Sequence, residues 1–183
     1  LGDDIQFMRF LPLLATLLAP AAILLITHGA IRPLIGDIPG VTVLPSGITL
    51  PVYDCWVPLM SLPLRLGLVD EIGIPPPWCP KIEPERIEKW RWPVQSPFKL
   101  NVGICWAGNW QHKNDAHRSI PLAKFATLFE ASGVNFCSLQ QMRPGEAELF
   151  AGLQKGNSNL RAFSFDDFRD TAAAIRNLDV VVS

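Results

Sequence analysis

The sequence has 183 residues, enough for one large domain or two small ones, and 49% of them are hydrophobic, ample for a core. A formal net charge of −1 excludes a global field that would draw the chain to nucleic acid or an anionic membrane, so any anion binding must be local. The four cysteines have no C-x-x-C spacing. Cys55, Cys105 and Cys137 each lie in an apolar, strand-like run, which predicts buried free thiols in a reducing compartment rather than a disulfide framework or a zinc site.

In chain order, Ile5, Met8, Leu11, Leu14 and Leu18 recur at helical spacing, and Pro20 ends that helix. The run 11–26, "LPLLATLLAPAAILLI", is shorter than the roughly 20 apolar residues that span a bilayer and is broken by Pro12 and Pro20. It also fails as a signal peptide, because Asp3 and Asp4 precede it. It predicts a buried helix followed by a buried strand over 22–27. One or two helical turns over 30–35, a strand over 41–44, a third strand over 53–57 and a short helix over 59–66 continue a β-α rhythm. That alternation predicts an α/β fold with a parallel sheet covered on both faces.

The composition then shifts. "PPPWCP" at 75–80 cannot continue a regular element, and the first lysine of the chain is Lys81. Residues 85–92 read as a charged, exposed helix, and "PVQSP" at 93–97 as a linker, placing a domain boundary near residue 97. The expected division is therefore 1–97 and 98–183. After the boundary the rhythm restarts: strand 100–106, helix 122–130, strand 134–139, helix 144–153, edge strand 160–163, helix 168–178 with Ala172, Ala173 and Ile175 facing in, and an all-apolar strand 180–183 expected to be buried on both faces. This gives two α/β units in tandem. Leu1 in place of Met and a strand-like ending predict a piece of something longer, inactive alone and only marginally stable in its second unit.

The chemistry concentrates in "CWAGNWQHKNDAHRSIPL", residues 105–122. In an open parallel sheet, ligands bind beyond the carboxyl ends of the strands, and residues 107–119 occupy such a position. Ser119 is expected to cap the following helix, with Pro121 in its first turn. A helix start favours phosphate, and Arg118 adds a guanidinium fork for phosphate oxygens. Ala107-Gly108 permits close approach to the backbone. The stretch therefore reads as a diphosphate cradle, although it has no Walker pattern, and a merely solvated connection is the plain alternative. His112 and His117 lack a third ligand nearby, so no metal is expected.

Four segments carry a resemblance: "LGDDIQFMRFLPLL" (1–14), "WAGNWQHKNDAHRSIPL" (106–122), "FCSLQ" (136–140) and "DTAAAIRNLDVVVS" (170–183). In order and spacing they resemble the heptosyltransferase-like glycosyltransferases, in particular bacterial members fused behind tetratricopeptide repeats. The resemblance spans essentially the whole chain. It implies a GT-B architecture, with two Rossmann-like units flanking an active-site cleft, both incomplete in this sequence. It implies a cytoplasmic transferase with a nucleotide-activated sugar as donor, a glycan, lipid or protein as acceptor, and further protein partners through repeats outside the chain. No metal or other cofactor, no nucleic acid and no transmembrane segment is expected.

Carried over by residue, the resemblance makes Asp3 the general base that takes the acceptor hydroxyl's proton in an inverting transfer, a role worth roughly 10²–10⁴ in rate. The plain alternative is that Asp3 or Asp4 caps the helix near Ile5; Asp4 is expected to be structural. Arg118 matches the cation that neutralises the donor diphosphate, with Gly108, Asn109, His112 and Ser119 as further donor contacts. Gln140 is a candidate for the nucleoside, Trp106 is expected in the core, Trp110 could line the cleft, and His28 carries no expected role. A different class of function is also open: a non-catalytic nucleotide-sugar-binding or scaffold module.

Overall fold

Every strand pairing is parallel and the backbone is mixed α/β, as the alternating pattern predicts. The computed structural model describes residues 1–68, 73–91 and 100–183. Two compact units are present: Leu1–Ile82 with Asp167–Arg169, and Glu83–Asp166 with Asp170–Ser183. The expected boundary near residue 97, and the linker around it, lie outside the described residues.

The first unit opens with α1 (Gly2–Phe7), a single 3₁₀ turn at Met8–Phe10, and α2 (Leu11–Leu18). Pro12 explains the interruption. It has no N–H to give the Met8 carbonyl, and the Leu11 N–H takes that carbonyl instead in a tighter turn. Strands β1 (Ile23–Thr27) and β2 (Val41–Pro45) pair in register, Ile23 with Val41 through Thr27 with Pro45. Met8, Phe10, Leu11, Leu25 and a short helix α3 (Leu62–Arg65), through Leu62, close the core. Burying each of these side chains contributes about 1.5–3 kcal/mol.

The third strand expected over 53–57 does not form. Pro51 and Pro58 flank it and can donate nothing to a ladder, and its side chains are exposed, Trp56 by 76%. Cys55 is consequently exposed rather than buried, as is Cys79. Among the described residues no helix is long and apolar enough to cross a membrane.

The second unit starts with α4 (Pro84–Lys89). The sequence predicts a solvated helix here, but one face is engaged. Arg86 Nη1 and Trp90 Nε1 donate to Asp170 Oδ1 at 2.5 and 3.1 Å, and Lys89 Nζ lies 3.6 Å from Asp170 Oδ2. Asp170 is fully buried. Strands β3 (Leu100–Ile104), β4 (Val134–Ser138), β5 (Leu160–Ala162) and β6 (Val180–Val182) form one sheet in the order β5-β4-β3-β6. Helix α5 (Glu146–Gly156) connects β4 to β5, and α6 (Phe168–Ile175) connects β5 to β6.

Ile104, Trp106, Phe129, Phe136, Phe150 and Leu160 form the centre of this unit's core. Gly103 keeps β3 thin: a Cβ there would sit 2.5 Å from Leu178 Cδ1 and 2.8 Å from Leu139 Cδ1. Strand β6 is at the edge, and Val180, Val181 and Val182 are exposed, not buried on both faces as their apolar run suggests. In α6 the buried residues are Asp170, Ala173 and Ala174, whereas Ile175 faces out.

Candidate functional site

Strand order decides where this unit can bind a ligand. β3 is first in sequence, β4 and β5 follow on one side of it, and β6 lies on the other. The chain therefore leaves β3 at the point where the strand order reverses. Helical connections diverge from such a point and leave a crevice beyond the strands' carboxyl ends. The polar stretch 107–119 emerges there. Its base is closed by the Ile120 N–H donating to the Trp106 carbonyl at 2.8 Å.

Inside the stretch, Asp115–His117 form one 3₁₀ turn. Arg143, from the loop after the neighbouring strand β4, reaches into it. Its Nη2 donates to the Gly108 carbonyl (3.1 Å), to Asp115 Oδ1 (2.9 Å) and to Ser119 Oγ (3.0 Å). The Ser119 hydroxyl donates to Asp115 Oδ1 at 2.6 Å and also accepts the Gly108 N–H at 3.2 Å. One donor and two acceptor bonds use the full capacity of a hydroxyl. The Ser119 hydrogen bond is the largest influence on Asp115 and lowers its pKa; burial opposes it, and Arg143 and then Arg118 add to it, so the carboxyl is held below its ordinary range.

Around this knot the second loop is fixed too. Glu146, at the start of α5, accepts the Arg143 N–H (3.0 Å) on one oxygen and the Trp106 indole N–H (3.2 Å) on the other. Trp106 is stacked on Phe150 in the core, as expected. Gln140 is buried: Oε1 accepts the Ala107 N–H at 3.0 Å and Nε2 donates to the Gln141 carbonyl at 2.9 Å. Its amide thus ties the ends of β3 and β4 together, a structural place beside the nucleoside contact expected of it.

Arg118 is different from Arg143. Its side chain is exposed, and it makes no hydrogen bond or ion pair among the described residues. Its guanidinium lies against Gly108, where a Cβ would collide with it. Asn109, Trp110, His112 and His117 are exposed at the rim. The Asn109 and His112 side chains accept the Gln111 and Asn114 N–H groups at 3.0 and 3.1 Å, turn-forming bonds local to the loop. Among the described residues no three or more His, Cys, Asp or Glu side chains are grouped to hold a metal ion.

Two expectations for the loop change. No α-helix starts at Ser119; residues 122–130 form two 3₁₀ turns, Leu122–Phe125 and Leu128–Glu130, with Pro121 as the N-cap of the first. Apolar residues three and four apart cannot distinguish i+3 from i+4 bonding. Ser119 therefore caps nothing, and a helix terminus contributes no anion-binding field here. What remains of the cradle is side chains: Arg118 above Gly108, on a braced loop.

In the first unit, Asp3 is exposed in the first turn of α1. Neither it nor Asp4 caps the helix; the N-cap is Leu1, with no side-chain bond. Asp4 accepts the Thr27 hydroxyl at 3.3 Å, joining α1 to the end of β1, which gives it a structural place. His28 follows β1, and its Nδ1 accepts the Ala30 N–H at 3.2 Å. An open cavity of about 510 Å³ is lined by Gly29, Arg32, Pro33, Asp37 and Val43, among others.

Sequence reading passed over Arg143 and Glu146 and gave Asp115 no role. The available signal was topological: in a parallel sheet the loops after neighbouring strands leave the same edge, so charges three and six residues beyond Gln140 must be near residues 107–119. No family model, no curated protein and no solved structure matches this chain.

Proposed function

We propose that this chain is part of a glycosyltransferase of the heptosyltransferase-like type, with the second unit holding the diphosphate of a nucleotide-sugar donor. In this reading both units are Rossmann-like and belong to a GT-B enzyme. The observation that carries the reading is the placement of Arg118, exposed and with no side-chain hydrogen bond or ion pair among the described residues, on a braced loop where the strand order of the sheet reverses. A guanidinium there can grip diphosphate oxygens bidentately, and its stabilisation grows as charge builds on the leaving nucleotide. Asn109 and His112, exposed on the same loop, are further donor contacts in this reading, and Ser119 acts through the loop's internal network rather than as a free contact.

Asp3 is the proposed base. It is exposed, and its neighbour Asp4 is the one engaged by Thr27, so the pair divides into an available and a committed carboxylate. The proton of the acceptor hydroxyl passes to Asp3 as the oxygen attacks the anomeric carbon and the nucleoside diphosphate departs with the bonding electrons. The complete natural protein is assayed with a panel of nucleotide sugars: the reading expects sugar transfer that Asp3→Asn abolishes while donor binding persists. Donor binding with no turnover in either protein supports the non-catalytic binding module instead. Absence of any nucleotide binding removes both.

A further inference from the structure

Two arginines approach Gly108, and the structure gives them different work. Arg143 Nη2 is surrounded by three acceptors belonging to both ends of the loop: the Gly108 carbonyl, Asp115 and Ser119. Its Nε is buried, and its side chain is largely covered. Through Nη2 it is committed to the bonds that shape the loop. Arg118 has no such ties, and its guanidinium rests on the Gly108 backbone. Asp115 is ion-paired to Arg143 and also feels the charge of Arg118. The Asp115 carboxylate offsets the repulsion that would otherwise separate two guanidinium groups on one loop.

We infer that Arg143 is a positioning residue for the anion site: by bracing Gly108 against Ser119 and Asp115, it fixes the seat from which Arg118 meets a ligand diphosphate. This rests on the diphosphate reading proposed above. Preorganisation of this kind lowers the ordering cost of binding, so its loss weakens affinity without removing any ligand contact. Arg143 and Arg118 then act as one unit, and their effects are strongly non-additive.

The test is a double-mutant cycle on the chain, titrated calorimetrically with ADP and, separately, with inorganic pyrophosphate. Amide exchange is followed at Gly108 and Ser119, with Ile104 and Phe136 in the sheet as controls. Arg143→Gln is expected to weaken ADP about tenfold and to speed exchange at Gly108 and Ser119 alone. Arg143→Gln combined with Arg118→Ala is expected to bind within about twofold of Arg118→Ala, since a brace is worthless once its load is gone. Should Arg143→Gln not fold, Asp115→Asn weakens the same brace with the guanidinium retained and must change exchange and affinity in the same direction. Unchanged ADP affinity in Arg143→Gln overturns the inference, and so do losses that multiply in the double mutant, because Arg143 would then be touching the ligand. If the wild-type chain binds neither probe, the diphosphate reading fails and Arg143 loses its ligand role with it, while the exchange data still show whether the loop is braced.

Discussion

Arg118 lies across Gly108 so closely that a Cβ on Gly108 would fall against Arg118 Nη2 and within 3.1 Å of its Cζ and Nε. The obstacle is the far end of a flexible side chain, which can swing away. Gly108→Ala should therefore cost stability no more than about 0.5 kcal/mol, in the range of surface changes. It should nevertheless move the guanidinium off its seat. Nucleoside-diphosphate affinity should fall in the same direction as in Arg118→Ala, which removes a charge-assisted bond worth about 1.5–3 kcal/mol. Calorimetry beside thermal melts separates the two effects, and added salt should shrink the affinity difference because Arg118 is exposed. A Gly108→Ala protein that melts normally and binds normally would show that Arg118 needs no fixed seat.

Asp170 supplies a second, purely structural prediction. Burial works to raise its pKa, but the Trp90 indole, the Asp166 N–H, Arg86 and Lys89 together outweigh burial and hold the carboxyl below its ordinary range. The sign follows from linkage: a depressed folded pKa gives stability that is complete above the unfolded value of about 4 and is lost as pH falls through the folded value. The second unit should thus weaken on acidification below about pH 4. Asp170→Asn should be less stable at neutral pH and should lose less on acidification. Asp170→Ala, which takes the buried carboxylate away from Arg86, Trp90 and Lys89, should cost about 3 kcal/mol by denaturant titration.

Thiol chemistry should separate the cysteines. Burial alone pushes the Cys137 thiol up to about 12, so it carries almost no thiolate at neutral pH. Cys55 and Cys79 are exposed. Reaction with a thiol-specific reagent near pH 8, followed by peptide mass spectrometry, should label Cys55 and Cys79 quickly and Cys137 only after denaturation. Rapid labelling of Cys137 in the folded chain would mean that β4 opens locally.

The parallel α/β character was legible in the sequence because strands within a parallel sheet are mostly apolar: Ile23–Thr27 is apolar up to its last residue, and in Leu100–Ile104 and Val134–Ser138 the interior asparagines, Asn101 and Asn135, are bonded to each other. The same rule misled at Tyr53–Val57 and Val180–Val182. An apolar run reports what could be buried, not whether a neighbour exists to pair with it or cover it. The loop's importance was visible in its crowd of polar side chains, but its internal wiring was not. Arg143 is separated from Asp115 by 28 positions, and only the sheet's topology brings them together. The anion-binding helix start failed for a local reason: after Pro121 the chain turns into 3₁₀ rather than α-helix, and the Ser119 hydroxyl is held by Asp115, Gly108 and Arg143 instead of capping it.

Asp3 and Asp4 are adjacent in sequence and should separate in experiment. The Asp4 carboxylate accepts the hydroxyl of Thr27, a buried residue at the end of β1. Asp4→Ala leaves that hydroxyl without its partner, at a cost of about 1–2 kcal/mol, so the first unit should melt earlier. If the proposed mechanism holds, any activity change in Asp4→Ala should follow the fraction folded. Asp3 is exposed in the first turn of α1 and makes no cap bond, so Asp3→Asn should leave the melt nearly unchanged. Its effect should fall on turnover, by roughly 10²–10⁴ if it is the general base, with the donor's dissociation constant retained. The decisive comparison is the ratio of turnover loss to stability loss in the two single variants of the complete natural protein. A large ratio for Asp3 and a small one for Asp4 assigns the proton transfer to Asp3, and equal ratios would leave both carboxylates as parts of the scaffold.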